Sequence, residues 1–199
     1  MDIGVCVASH VGDIDYVVRA EELGYSHAWL ADSQMLWSDC YAALALVADR
    51  TSTINIGTGV SVSGTRPAPV TAASIATINA LAPGRTFLGL GTGNTAMRIM
   101  GHKPQRIAEF DQYLEAIKPL LKGEEAEHSF GGHESPIRHI MPDKGFVNFE
   151  DPIPLYVSGF GPKSLALAGK HADGAVLSIP PDTQAMDRTW EMIERGAAE

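Results

Sequence analysis

Cysteine is scarce in this chain: Cys6 and Cys40 are the only two in 199 residues. Two thiols cannot build a disulfide framework, so the fold must rest on packing, and the usage suits a reducing, cytoplasmic compartment. Basic charge is short as well. Fifteen Lys and Arg stand against 24 Asp and Glu, for a formal net charge of −9. Nucleic acids and anionic membranes are held by fields of Lys and Arg, so neither is an expected partner. A local basic pocket for a phosphorylated small molecule survives that argument. No apolar run approaches the roughly 20 residues needed to span a bilayer. The opening Met1-Asp-Ile-Gly-Val5 lacks the basic and long apolar stretches of a secretory signal. The seven His form no metal spacing, and His128, His133 and His139 share a polar segment without a Cys partner, so no metal is expected. Without a Gly-x-Ser-x-Gly elbow, hydrolysis gains no support.

What remains is an ordinary globular composition, 45% hydrophobic and 20% charged, at a length that favours a single domain over residues 1–199. Short apolar runs recur at Ile3 to Val7, His27 to Ala31, Ile54 to Val60, Thr86 to Gly91, Pro154 to Val157 and Gly174 to Ser178. Gly, Pro, Ser or Asp bounds each run, as at strand ends, and several runs are apolar throughout, as in parallel strands buried on both faces. Helical periods fill the gaps. Asp13 is placed to cap a helix carrying Ile14, Val17, Val18 and Leu23, and Asp39 to cap one carrying Leu44 and Val47. Pro67 and Pro69 suit the first turn of a third helix, and a longer one runs from about Gln105 to Gly123. Lys163 to His171 and Thr183 to Arg195 read as two more. The order is β-α repeated six times, hence an α/β fold with a parallel sheet. The stretch 123–151, rich in Gly, His, Pro and charge, reads as an insertion at the mouth of the sheet, a lid or an inert excursion. An open doubly wound sheet and a (β/α)8 barrel both accept this order. A complete barrel takes about 250 residues and eight strands.

In either architecture ligands bind where the parallel strands end. Those ends read Ala8-Ser9-His10, Asp32-Ser33-Gln34 with Trp37 close behind, Gly57-Thr-Gly-Val-Ser61, Gly89-Leu-Gly-Thr-Gly-Asn94 and Ser158-Gly-Phe-Gly-Pro162. The sixth run stops at Ser178, ahead of Pro180-Pro181. Glycines admit a ligand close to the backbone, and N–H groups at a helix start hold phosphate. Neither Gly89 to Asn94 nor Gly161-Pro-Lys-Ser164 completes a dinucleotide or phosphate-loop motif.

Taken in order, these segments resemble the bacterial luciferase-like family of flavin- and deazaflavin-dependent oxidoreductases. The resemblance rests on Ala31-Asp-Ser-Gln34, Ile56-Gly-Thr-Gly-Val60, Arg66-Pro-Ala68, Ala72-Ala-Ser-Ile-Ala-Thr77 and Pro83-Gly-Arg-Thr-Phe-Leu-Gly-Leu-Gly-Thr-Gly93. Asp151-Pro-Ile-Pro154, Gly161-Pro-Lys163 and Ala172-Asp-Gly174 complete it. It implies a (β/α)8 TIM-type barrel that stops after its sixth β-α unit, with association as a homodimer. It implies a non-prolyl cis peptide at Gly59-Val60 behind the cofactor ring. Asp32 and Ser33 would lie at the reactive edge, and Thr92, Gly93 and Asn94 would line the ring or its side chain. Ser158, Gly159, Phe160 and Gly161 would offer N–H groups to the phosphate.

His10 is the remaining titratable candidate, and Trp37 matches a substrate-side Trp. Deazaflavin sugar-phosphate dehydrogenases of the family carry a His and an acid where Ser33 and Asn94 stand, so alcohol oxidation lacks its proton agents. Many flavin-using relatives carry an Arg at Thr92, and its absence favours coenzyme F420 over FMN. The expected activity is hydride transfer from reduced F420 or a flavin to a small organic substrate. An FMN-dependent monooxygenase is the alternative, and a non-catalytic remnant or cofactor-binding partner is a third.

Overall fold

The computed structural model describes residues 2–180 and 182–199. Met1 and Pro181, named above at the amino terminus and after the sixth run, lie outside the described residues. The chain runs β1 (Gly4–Val7), α1 (Asp15–Glu22), β2 (His27–Leu30), α2 (Cys40–Arg50), β3 (Asn55–Thr58), β4 (Ser61–Val62) and α3 (Ala68–Leu81). It continues through β5 (Thr86–Gly91), α4 (Asn94–Ile99), α5 (Ile107–Leu120), β6 (Ala126–Phe130) and β7 (His133–Ile137). A 3-10 turn (Pro142–Lys144) then leads to β8 (Leu155–Ser158), α6 (Pro162–His171), β9 (Gly174–Val176) and α7 (Thr183–Ala197).

All six expected runs form strands, parallel and in the order β1-β2-β3-β5-β8-β9, with the two-residue β4 alongside the end of β5. The sheet curls into an open half-barrel. Among the described residues β1 and β9 are its outer strands, so no closed eightfold ring is present. On the helix-facing side, Leu30, Ile56, Leu88, Leu90 and Val157 join Val17, Leu44, Val47, Ile75, Phe110, Leu114 and Ile117 in one buried core. On the concave side, Trp29, Phe87 and Tyr156 form an aromatic layer with ring centroids 4.2 to 5.7 Å apart. Burial on both faces holds for central β5, every residue of which is buried. It fails for β1, an edge strand whose residues alternate between exposed and half-buried. No helix among the described residues is long and apolar enough to cross a membrane.

One local expectation needs correction. Asp13 does not cap α1: Ile14 takes the cap position without a side-chain bond, because Asp13 closes a turn onto the His10 carbonyl. Asp39 does cap α2, accepting from the Tyr41 and Ala42 amides at 3.0 Å. The short α4 had no periodic signal, since six residues show only Ala96 and Met97 inward against Val62. The insertion at 123–151 contains regular structure. It folds as an antiparallel hairpin, β6 with β7, whose Ala126 and Ile137 pack onto the helical layer. Asn148, beyond the hairpin, ties it to α3 through Ala76 and Asn79.

One carboxylate fastens α1 to the start of β3. Glu21 Oε1 accepts from the amides of Ser52, Thr53 and Ile54 at 2.6 to 2.9 Å and from the Thr53 hydroxyl at 3.0 Å. Partial desolvation works against the charge, but these donors outweigh it and pull the carboxyl from 4.5 down to about 2. The folded value lies below the unfolded one, so this stabilisation is complete above about pH 4.5 and fades as pH falls toward 2. Glu21→Ala should cost about 1–2 kcal/mol at pH 7 in urea titrations. The deficit relative to wild type should shrink between pH 4.5 and 2. A deficit that persists at pH 2 would contradict the assignment.

Candidate functional site

Because the six strands are parallel and hydrogen-bonded in one sheet, their carboxyl ends share one rim. That rim brings together Ser9-His10, Asp32-Ser33, Gly59-Val60, Thr92-Gly93-Asn94 and Gly159-Phe160-Gly161. Side chains and amides knit it laterally. Ser9 Oγ donates to the Ala31 carbonyl at 2.6 Å, Ser38 N to the Ser9 carbonyl at 3.0 Å, and Gly59 N to the Leu30 carbonyl at 2.7 Å.

The peptide between Gly59 and Val60 is cis. Val60 then lies flat on β5. A Cβ built at Gly89 would come within 3.0 Å of Val60 Cγ1 and 2.3 Å of the Thr58 carbonyl oxygen, and one at Gly91 within 3.0 Å of Val60 Cγ2. Gly89 is required by the Thr58 carbonyl, which leaves no room for a Cβ, and Val60 lies in close contact over both glycines. Beneath this valine, the Trp29 ring reaches to 3.3 Å of the same Gly89 position.

Asp32 is tied more tightly than its place in the sequence foretold. The carboxylate is 2% exposed and accepts from Arg66 Nη1 at 2.6 Å, Ser61 Oγ at 2.9 Å and Gln34 Nε2 at 2.7 Å. Arg66 also reaches Asp39 at 2.8 Å and lies over the Tyr41 ring at 4.9 Å. A carboxylate so engaged anchors the rim and has little freedom to move a proton. Arg66, Ser61, Tyr41 and Gln34 were missed as site residues. Arg66 and Ser61 lie 34 and 29 positions from Asp32, so no local pattern pairs them with it, whereas Gln34 stands two positions away at the same strand end.

The other candidates divide. His10 is exposed on the β1 loop, and Ser33 is half-buried, its carbonyl receiving the amides of Leu36 and Trp37. Trp37 stays on this loop, 42% exposed, next to Met35 at a positive φ of 62°. Asn94 turns away onto its own helix, where Oδ1 accepts from Arg98 Nε at 2.7 Å. Phe160 projects outward, 77% exposed. Ser158 is half-buried on the concave side beside Gly91.

At the start of α6, Ser164 Oγ accepts the Gly161 amide at 3.2 Å, and Pro162 has no N–H. The start of this helix carries the positive end of its dipole, beside the exposed Lys163 ammonium. A flat platform at Val60 and an anion-attracting helix start two strands away fit a planar ring carrying a phosphorylated tail. Cavities adjoin the sheet on both sides. One of about 420 Å³ opens on the concave face against His27, Trp29, Tyr156 and Val176. Another of about 1060 Å³ lies outside, between the β4–α3 turn, α5 and the hairpin, with Arg66 and Ser63 in its wall.

The profile of a family described as luciferase-like monooxygenase matches residues 12–199. The chain is 31% identical over 172 residues to a 5,10-methylenetetrahydromethanopterin reductase of Methanolobus tindarius, covering 82% of this chain and 48% of the relative. It is 34% identical over 174 residues to an F420-dependent hydroxymycolic acid dehydrogenase of Mycobacterium tuberculosis, covering 81% and 47%. The chain thus spans about half the length of the curated relatives it matches. Among solved structures, the coenzyme F420 dependent tetrahydromethanopterin reductase of Methanopyrus kandleri superposes with a TM-score of 0.79 at 22% identity, over 99% of this chain and 61% of that one. A type II Baeyer-Villiger monooxygenase of Pseudomonas putida in complex with FMN gives 0.74 at 18% identity, over 100% and 62%. At these identities the superpositions establish the fold alone.

Proposed function

The chain belongs to the luciferase-like monooxygenase family, and from that premise we propose that it is an oxidoreductase whose strand carboxyl ends hold reduced coenzyme F420. Residues 1–199 are then one domain, six units of an eightfold barrel, and the insertion at 123–151 is an outer appendage. The observation that carries this reading is the platform made by Val60 over Gly89 and Gly91, facing the same rim as the α6 start. In this reading Gly59 and Val60 back the ring, Thr92 and Gly93 border it, and Ser158, Gly159, Phe160 and Gly161 lead to the amides that receive the phosphate. When bound, the reduced cofactor supplies a hydride. The protein's part is to orient the ring, to keep water from one face with Val60 and the aromatic layer, and to place a substrate beside Ser33 and Trp37.

Proton supply falls to His10 or to the Ser33 hydroxyl, since Asp32 already accepts from three side chains. With Ser33 in place of an imidazole and Asn94 bonded to Arg98, nothing at these two positions accepts a proton from an alcohol. Reduction of an unsaturated or carbonyl carbon is the favoured direction. FMN is the second reading, since the same rim and platform would accept its ring and phosphate. Fluorescence titration with F420 and with FMN tests the assignment, together with a thermal melt that should shift upward with the cognate cofactor. Turnover without oxygen identifies the reductase and stoichiometric oxygen incorporation the monooxygenase. Failure of both cofactors to quench or stabilise would leave a non-catalytic remnant.

Association as a homodimer is part of the same reading. Helix α3 buries Ala68, Ala72, Ile75 and Ala76 inward, yet Val70 and Leu81 on other faces are 49% and 52% exposed. Leu46 of neighbouring α2 is exposed too. These exposed apolar side chains, with Ser74 and Thr77 between Val70 and Leu81, give a face that a second copy of the chain would cover. Sedimentation should give twice the chain mass, falling to the single-chain value for Leu46→Glu with Val70→Glu. A wild-type monomer would discard the proposal.

A further inference from the structure

Arg66 stands in the turn between β4 and α3, and its planar fork reaches three elements at once. Nη1 donates to Asp32 Oδ2 at the end of β2 (2.6 Å), and Nη2 donates to Asp39 Oδ2 at the start of α2 (2.8 Å). The guanidinium covers the Tyr41 ring at 4.9 Å. Asp32 Oδ2 in turn accepts the Ser61 hydroxyl at 2.9 Å, which also meets Tyr41 Oη at 3.0 Å. Ser61 is the residue directly after Val60. The side chains of Arg66 and Asp32 are 15% and 2% exposed, so water screens this pair weakly.

We propose that Arg66 is a positioning residue for the cofactor site. Through Asp32 it locks Ser61, and so holds Val60 over Gly89 and Gly91. The two-pronged planar shape does this, not the charge alone. A lysine ammonium restores the charge as a point but cannot span two carboxylates and stack on a ring at the same time. The consequence for cofactor binding rests on the function proposed above. The clamp itself is a property of the free protein, and the two can be separated.

The test compares wild type with Arg66→Lys and Ser61→Ala. The latter removes the shorter tie between Asp32 and the segment after Val60 without altering any charge, leaving only the Val62 amide at 3.4 Å. Three quantities are read: the thermal midpoint, amide hydrogen exchange over residues 59–63, and the Kd for F420 and for FMN by fluorescence quenching. A positioning role predicts that both variants keep a cooperative melt within a few degrees of wild type. Both should exchange about tenfold faster at 59–63 and bind the cofactor about tenfold more weakly, the scale of one lost, well-placed hydrogen bond. Native exchange and native affinity in Arg66→Lys would reduce Arg66 to charge compensation and overturn the proposal. Should Arg66→Lys not fold, Ser61→Ala decides alone, and unchanged exchange there overturns it equally. If wild type binds neither cofactor, the proposed function fails while exchange at 59–63 still decides the clamp: faster in the variants supports it, unchanged refutes it.

Discussion

Gly196→Leu should detach α7 and lower stability by at least about 3 kcal/mol, a larger loss than a surface helix position normally allows. Helices α6 and α7 cross backbone to backbone. A Cβ at Gly196 would sit 1.8 Å from the Ala166 carbonyl oxygen, and one at Gly169 would sit 1.9 Å from that of Ile193. Neither obstacle is a flexible side chain, so the helices themselves would have to separate. Gly196 is the one buried residue of α7; Met192 and Ile193 beside it are half-buried, while Met186 and Trp190 remain exposed. The milder Gly196→Ala makes the sharper test. In an exposed helix interior Gly→Ala stabilises by about 1 kcal/mol; here the sign should reverse. Urea titration gives the stability change, and limited proteolysis within residues 183–197 reports the release. A Gly196→Ala variant as stable as wild type would mean that the crossing is looser than described.

Asp32→Ala is expected to cost about 3–5 kcal/mol in chemical denaturation, because the partly buried Arg66 guanidinium and the Ser61 hydroxyl lose their shared acceptor. A proton-transferring carboxylate would behave differently: its removal should abolish turnover and leave the melt nearly unchanged. Burial and three side-chain donors favour the anchoring outcome. Pairing Asp32→Leu with Arg66→Met should recover part of the loss, since removing both charges leaves neither one stranded. Recovery of stability without recovery of cofactor binding would separate the two roles that this carboxylate combines. Wild-type stability in Asp32→Ala would argue that solvent replaces the carboxylate at no cost.

The aspartate also marks where local reading stops. Asp32 was legible as a strand-end carboxylate, and Arg66 as part of an Arg-Pro-Ala turn, yet nothing along the chain joins residues 34 positions apart. Likewise the Gly89 to Gly93 run read as a place where a ligand meets backbone, whereas Val60 fills the space over Gly89 and Gly91. The aromatic layer of Trp29, Phe87 and Tyr156 comes from three separate strands, each offering a single ring to the concave face. No window of sequence contains two of them.

The alternation of apolar runs and helical periods was enough to specify six parallel strands, the Asp39 cap and a rim where loops converge. Those features depend on neighbours within one turn of helix or one strand, so adjacent residues carry the whole signal. Folding alone decided which charges meet, which glycines lie beneath a side chain, and that the insertion forms a hairpin packed against the helices. Each of those outcomes depends on surfaces brought together from distant parts of the chain, where burial and steric exclusion choose among partners that local propensity leaves equivalent.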